Sequence, residues 1–112
     1  MIDQGSHFAS GLDLIRCGDF FAAHEELELV WRAAAPEERD FFQGLVHVAV
    51  AWYQAGRGNR PGCERQLEKA ARRLASFAPT HRGVDIGSVL AQVERAQSIV
   101  AAGSLELPPP SI

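Results

Sequence analysis

Apolar residues recur at three- and four-residue spacing along most of the chain, which is typical of helices that bury one face. Glycine, proline and capping residues divide this pattern into separate segments. The short connections between the segments predict an all-α fold, a single-domain antiparallel bundle of about five helices. The predicted helices run from Ser6 to Gly18, from Phe20 to about Ala34, from Pro36 to about Ala55, from about Arg60 to Pro79 and from Asp85 to Gly103.

Capping residues define the ends of these segments. Ser6, Asp19 and Asp85 carry side-chain oxygens that can accept hydrogen bonds from the first turn of a helix. The fourth helix starts at Asn59 or Arg60, and Gly18 takes the usual glycine position after a helix. No segment alternates between apolar and polar residues as a half-buried strand does, so no sheet is expected and residues 80–84 are predicted to form a loop.

The third segment is apolar around most of its circumference, and such a helix normally lies at the centre of a bundle. Its polar residues form one narrow stripe that contains Asp40, Gln43, His47 and Gln54. The second segment carries the chemically distinctive motif His24-Glu25-x-x-Glu28-x-x-Trp31.

Length and composition predict one domain over residues 1–112, with a core at residues 7–103 and a proline-rich tail at residues 104–112 that takes no helix or strand. Hydrophobic residues make up 46% of the chain and charged residues 22%, as in ordinary globular proteins. No apolar run approaches the ~18 residues of a membrane span, and Met1 to Ser6 do not resemble a secretory signal. We therefore expect a cytoplasmic protein without a membrane partner.

The two cysteines, Cys17 and Cys63, lack the CxxC spacing of zinc or redox sites, and both are expected to be buried. The net charge of −3 conceals an acidic first part and a basic fourth segment. A pI near 5.7 and the absence of aromatic residues among the basic ones argue against a nucleic-acid partner. The basic face is expected to be solvent-exposed or to pair with the acidic second helix, in the same molecule or in a neighbouring one. Two Trp and six Phe in so short a chain are compatible with a homodimer.

Helical spacing places His24, Glu28 and Trp31 on one face of the second helix. Phe20 and Leu27 lie on the same side, so this face is expected to point inward. Gln43 and His47 repeat the four-residue spacing on the third helix. If the two helices pack antiparallel, the side chains of His24, Glu28, Gln43 and His47 are predicted to converge.

Three interpretations of this cluster remain open. The first is an internal hydrogen-bond network, because buried polar groups need partners. The second is a binding site for a small molecule or a protein partner, framed by Trp31, Trp52 and Tyr53. The third is a metal-dependent hydrolase, in which His24, Glu28 and His47 bind a divalent metal and Glu25 is the catalytic base. Only the third requires a cofactor, and the residues leave open whether the protein is an enzyme.

Three stretches of the chain together resemble a known family. They are Gly18-Asp19-Phe20-Phe21-x-Ala23-His24-Glu25-x-Leu27-Glu28-x-x-Trp31, Phe42-Gln43-Gly44-Leu45-Val46, and Gly58-Asn59-x-x-Gly62. The combination resembles the prokaryotic domain-of-unknown-function family 309, and the likeness spans roughly residues 8–102.

The resemblance implies a multihelical fold of uncharacterised function, without an established substrate or cofactor. It also implies that the family motif residues lie around the second and third helices. The family pattern more often has glutamine at the position of His47, which weakens the metal interpretation because an amide is a poor metal ligand. The hypothesis is therefore a small-ligand or protein-interaction module, with the metal-dependent hydrolase as the alternative. Its candidate binding residues are His24, Glu25, Glu28, Trp31, Gln43, His47 and Asn59.

Overall fold

The computed structural model describes residues 3–112, which form five α-helices with short connections. The predicted all-α fold is confirmed. The α-helices are α1 (Gln4–Arg16), α2 (Phe20–Ala33), α3 (Arg39–Gly56), α4 (Arg60–Leu74) and α5 (Ile86–Ala101). Two short 3₁₀ turns, Pro36–Glu38 and Ala75–Phe77, lead into α3 and follow α4.

Four of the five predicted capping residues lie at the helix boundaries where the sequence places them. Asp19, Asn59 and Asp85 accept hydrogen bonds from the first turns of α2, α4 and α5, and Gly18 has the positive φ of a glycine after a helix. The prediction that Ser6 caps α1 is wrong. Asp3 is the cap, because its carboxylate accepts from the backbone N–H of Ser6 and so starts the helix earlier.

Neighbouring helices run antiparallel, and α3 lies in the middle of the bundle between α2 and α4. On one flank of α3, Tyr53 near its end contacts Phe21 near the start of α2. On the other flank, Asp40 near its start binds Arg73 near the end of α4. The third face of α3 is buried in the core, as expected for its apolar circumference.

Residues 80–85 correct the expectation of a loop. Thr80–His81 (β1) and Val84–Asp85 (β2) form a two-stranded antiparallel hairpin. The two turn residues, Arg82 and Gly83, both have positive φ, as the tightest hairpin turn requires. Glu38 accepts hydrogen bonds from His81 and Arg82, so a tertiary contact holds a hairpin that is too short to show a strand pattern.

The tail, residues 104–112, has no helix or strand, as predicted, but it packs against the bundle. Leu105, Leu107 and Ile112 are partly buried against the core. Cys17 is exposed, so the expectation that both cysteines are buried is correct only for Cys63. None of the helices formed by residues 3–112 has the length and apolar character needed to cross a membrane.

Candidate functional site

The distinctive motif forms a chain of ionic contacts along α2. His24 Nε2 lies 2.8 Å from Glu28 Oε2, and Arg32 donates to Glu28 Oε1 at 2.6 Å. These residues are spaced four apart, so they lie one above the other on the helix surface. The core face of α2 is formed by other residues, namely Ala23, Leu27 and Val30. The motif face therefore lies at the boundary of the core, with the side chains of His24 and Glu28 about a quarter exposed, at 28% and 26%.

A groove of about 180 Å³ lies between this face of α2 and the exposed side of α3. We call it the α2–α3 groove; its lining residues are Phe20, Phe21, His24, Val50, Tyr53 and Gln54. The ring of Phe21 contacts the rings of His24 and Tyr53, with centroid distances of 5.8 and 5.5 Å. The groove thus has aromatic and aliphatic walls and one imidazole.

The groove continues into a shallower depression of about 320 Å³ along α2. Phe21 and His24 line both, and the depression adds Glu25, Glu28, Leu29 and Arg32. Phe21 is 50% exposed and Leu29 is 37% exposed, and no other large hydrophobic residue in the described chain is exposed. The two exposed apolar side chains therefore share one surface with the ionic chain.

His47 lies on the opposite flank of α3 and faces α4. Its Nδ1 donates to Gln66 Oε1 at 2.7 Å, whereas His24 Nε2 pairs with Glu28 in its own helix. The predicted convergence of His24, Glu28, Gln43 and His47 is therefore wrong. The sequence predicts both polar pairs, but it does not predict the rotation of α3 about its axis. That rotation directs His47 toward α4 and away from α2.

The surroundings of His47 favour its neutral form. Burial lowers the pKa of this imidazole below its usual 6.5, a hydrogen bond to Gln66 partly opposes the shift, and the nearby charges of Lys69, Arg73 and Arg72 lower it further. Its Nε2 is shielded from solvent and has no hydrogen-bond partner among residues 3–112. His47 is thus a structural contact between α3 and α4.

The metal interpretation gains no support from the geometry. Residues 3–112 contain no group of three or more His, Cys, Asp or Glu side chains placed to hold a metal ion. The proposed set of His24, Glu28 and His47 is divided between two flanks of α3. Glu25, the candidate base, is exposed on α2 beside Glu28.

The remaining predicted residues occupy separate places. Trp31 is partly buried, with the guanidinium of Arg39 5.6 Å from its ring centroid, and Gln43 is half-buried on α3. Trp52 is buried, and neither it nor Trp31 lines the α2–α3 groove or the depression beside it. Asn59 accepts from the backbone N–H of Gly62 and donates to Gln54, so it holds the turn between α3 and α4.

Sequence reasoning did not assign six residues of this surface to a site, namely Phe20, Phe21, Leu29, Arg32, Val50 and Gln54. Arg32 carries a usable signal, since it follows Glu28 by four residues and a helix brings such a pair together. Val50 and Leu29 carry none, because a lone apolar residue on a helix is expected to be buried until the neighbouring helices are placed.

A second carboxylate with two cationic partners lies away from this surface. Burial raises the pKa of Glu38, but hydrogen bonds from Arg82 and His81 and their positive charges outweigh burial and leave that pKa below its usual 4.5. His81 also contacts the rings of Phe41 and Phe77 edge to face. This cluster attaches the hairpin to the start of α3.

Five antiparallel helices around a central α3, with an ionic chain on α2, define a small all-α domain with one mixed polar and apolar surface. The model of the family described as "Domain of unknown function (DUF309)" matches residues 8–66, which is more than half of the chain. The protein belongs to this family, as the motifs indicated.

Two relatives extend the match. An uncharacterised protein of Aquifex aeolicus is 32% identical over 78 residues, which is 69% of this chain and 23% of the relative. The uncharacterised protein YpuF of Bacillus subtilis is 31% identical over 97 residues, 80% of this chain and 56% of the relative. The chain thus spans about a quarter and about half of these relatives. No solved structure shows a significant match to it.

Proposed function

We propose that this domain is a non-catalytic interaction module and that its α2 surface binds a polypeptide partner. The α2 surface is the α2–α3 groove together with the depression beside it. The observation that carries the proposal is the position of the exposed Phe21 and Leu29, which both lie on this surface. Exposed apolar residues beside polar ones are typical of protein-interaction sites.

The size of the groove favours a side chain over a free small molecule. Pockets for drug-sized ligands have volumes of roughly 300–1,000 Å³, and they enclose most of the ligand. The α2–α3 groove, at about 180 Å³, lies below that range, and the depression of about 320 Å³ beside it is open along α2 instead of enclosing a ligand. One apolar side chain of a partner fits such a groove while the rest of the partner covers the depression.

The ionic chain supplies the polar part of the surface. Interfaces commonly combine an apolar centre with a polar rim that fixes orientation. Here Phe21 and Tyr53 form the apolar centre, while Glu25, Glu28 and Arg32 lie beside it. Carboxylates accept hydrogen bonds, so the partner we propose inserts an apolar group and presents a donor to Glu25 or Glu28.

We place this interaction in the cytoplasm. Cys17 and Cys63 are both free thiols, and thiols persist in the reducing cytoplasm whereas exported proteins tend to form disulfides. A second copy of the chain also has the required chemistry, so the oligomeric state is measured by analytical ultracentrifugation before partners are sought.

The test is selection of a random peptide library on the immobilised protein, followed by affinity measurements on the enriched peptides. Peptides with an aromatic or large aliphatic anchor are expected to bind the unmodified protein and to lose about tenfold or more on Phe21→Ala. Glu28→Gln is expected to weaken them as well, because the amide accepts hydrogen bonds less strongly than the carboxylate. The Glu28→Gln variant should still fold, because its partner Arg32 is largely exposed and ion pairs at the surface contribute roughly 0–1 kcal/mol.

The matched control is Glu94→Gln, the same change at an exposed position on α5. Enriched peptides that bind all three variants as well as the unmodified protein would remove the α2 surface as the binding site. A fall of many degrees in the unfolding midpoint of Glu28→Gln would instead assign the ionic chain to structural support. Binding of small molecules but no peptides would favour the small-ligand interpretation.

A further inference from the structure

The tail occupies a second groove, whose lining residues all differ from those of the α2 surface. Val48 and Trp52 of α3 form one wall of this groove, and Val89, Gln92 and Val93 of α5 form the other. Pro110, Ser111 and Ile112 lie in it and leave a residual cavity of only about 10 Å³. We call it the α3–α5 groove, and the tail fills it closely.

The hydrogen bonds that hold the tail all reach its backbone. The indole N–H of Trp52 donates to the carbonyl of Pro108 at 2.9 Å. The amide of Gln92 makes two bonds of 2.7 Å to Ser111, donating to its carbonyl and accepting from its N–H. Arg16 donates to the carbonyl of Ile112 at 3.0 Å.

Hydrogen bonds to the backbone select for an extended conformation more than for particular side chains. Proline-rich segments are preorganised in the polyproline II conformation, so they lose little entropy when they bind. Known binders of such segments use aromatic-lined grooves. Trp52, next to three consecutive prolines, provides the same combination here.

Release of the tail would leave the helices of the bundle intact. Residues 104–112 have no helix or strand, so releasing them breaks no repetitive structure. The connection to α5 is a turn at Gly103, whose positive φ ends the helix. A further depression of about 80 Å³, lined by Trp52, Gln92, Arg95 and Pro108, leaves room beside Pro108.

We propose that the α3–α5 groove is a binding site for extended proline-rich segments, and that the tail is its intramolecular occupant. The partner is a polypeptide segment with two or three prolines followed by a small polar and a large aliphatic residue, the pattern of Pro108 to Ile112. This site is separate from the α2 surface, and it does not depend on the function proposed for that surface.

The attached tail competes with any partner. A short flexible link holds it near the groove at a millimolar effective concentration, so a free peptide must overcome that occupancy. Weakening the tail's own contacts should therefore increase the affinity for a free peptide. Removing the groove's contacts should decrease it.

The experiment measures binding of a fluorescein-labelled peptide with the sequence of residues 105–112 to full-length variants. The released variant combines Ser111→Pro, which removes the N–H that donates to Gln92, with Ile112→Asp, which puts a carboxylate in the apolar groove. The NMR signal of the Trp52 indole N–H reports release, and Trp31→Phe assigns that signal. The released variant is expected to bind the peptide at least tenfold more tightly than the unmodified protein.

Groove contacts are tested in the released variant. Gln92→Ala removes both hydrogen bonds to Ser111 of the peptide and should weaken binding at least tenfold. Gln97→Ala is the matched control, because residue 97 lies on another side of α5, and it should change nothing. A peptide with glycine in place of the three prolines should also bind at least tenfold more weakly.

Three results would overturn the proposal. The first is a shifted Trp52 signal without tighter peptide binding, which would make the groove a packing surface for the tail alone. The second is peptide binding that Gln92→Ala leaves unchanged. The third is an unshifted Trp52 signal in the released variant, because the tail would then stay bound without the Ser111 and Ile112 contacts that the proposed partner pattern requires.

Discussion

Each of the four histidines makes a side-chain contact that its surroundings explain. Three pair with a carboxylate, and the fourth pairs with an amide. The pairs are His7 with Glu26, His24 with Glu28, His81 with Glu38 and His47 with Gln66. Only His47 lies among cations instead of beside an anion, with Lys69, Arg72 and Arg73 close by. Its protonation therefore opposes folding.

The pH dependence of stability is expected to reflect His47. Because its pKa is lowered in the folded state, the unfolded chain binds more protons near pH 6, and stability rises with pH there. The contribution of neutral His47 to the free energy of unfolding is fully present above the usual pKa of 6.5, and it is lost as the pH falls below that value. His47→Gln, which keeps a hydrogen-bonding group but cannot be protonated, should reduce the loss of urea stability between about pH 7.5 and pH 5.5.

The control for this prediction is His24→Gln, because the imidazole of His24 faces the carboxylate of Glu28 and belongs to no cationic cluster. Glu38 does not interfere, because its lowered pKa affects stability only below its usual 4.5. If the unmodified protein and His47→Gln lose the same stability over this range, the neutral buried form of His47 is not the source of the pH dependence.

The backbone of α3 at Gly44 packs directly against the side chain of Leu74 on α4. A Cβ atom on Gly44 would lie 2.5 Å from Cγ and Cδ2 of Leu74 and 3.4 Å from Cβ of Arg73. The family motif glycine is therefore required by packing. A similar approach occurs at Gly11, where a Cβ would lie 2.7 Å from Leu27 on α2.

Gly44→Ala is expected to destabilise the protein by about 1–3 kcal/mol, because the added methyl group forces helices apart in a well-packed core. Gly56→Ala is the matched change in the same helix. A Cβ at residue 56 would meet nothing within 4 Å, so alanine should leave stability unchanged or raise it slightly. Urea unfolding measures both, and equal midpoints for the two variants would contradict the close approach of α3 and α4.

Across the whole molecule, a cluster of aromatic rings joins elements that are distant in sequence. Phe41 is fully buried at its centre. It contacts the rings of Phe8 on α1, Phe42 beside it on α3, Phe77 in the turn after α4, and His81 in the hairpin. The α2 surface lies outside this cluster, so stability and binding use different aromatic residues.

Phe41→Ala should therefore cost about 3–5 kcal/mol of unfolding free energy, since it removes a buried ring and leaves a cavity. Phe21→Ala, at a half-exposed position, should cost about 1 kcal/mol or less. Chemical unfolding at a fixed pH measures both changes. If the Phe41→Ala variant does not fold, Phe41→Leu should give a smaller, measurable loss of unfolding free energy. A loss for the Phe41 variant no larger than that of Phe21→Ala would show that the cluster does not hold the elements together.

The candidate site was only partly predictable. The four-residue spacing of His24 and Glu28 depends on helix geometry alone, and the structure joins them at 2.8 Å. The pairing of His47 depends on the rotation of α3 about its axis, which directs that residue to Gln66. An apolar circumference gives no preference for one rotation, so the sequence could not assign His47 to a flank.

The sequence alone determined the helices, most of their caps and the family, because these depend on neighbours within one or two turns. Asp19, Asn59 and Asp85 cap helices through bonds to residues three positions away. Only the tertiary structure decided that the hairpin forms, that His47 is separated from His24 and that the tail lies in the α3–α5 groove. Those depend on contacts across the fold, such as Trp52 with Pro108, which no local pattern encodes.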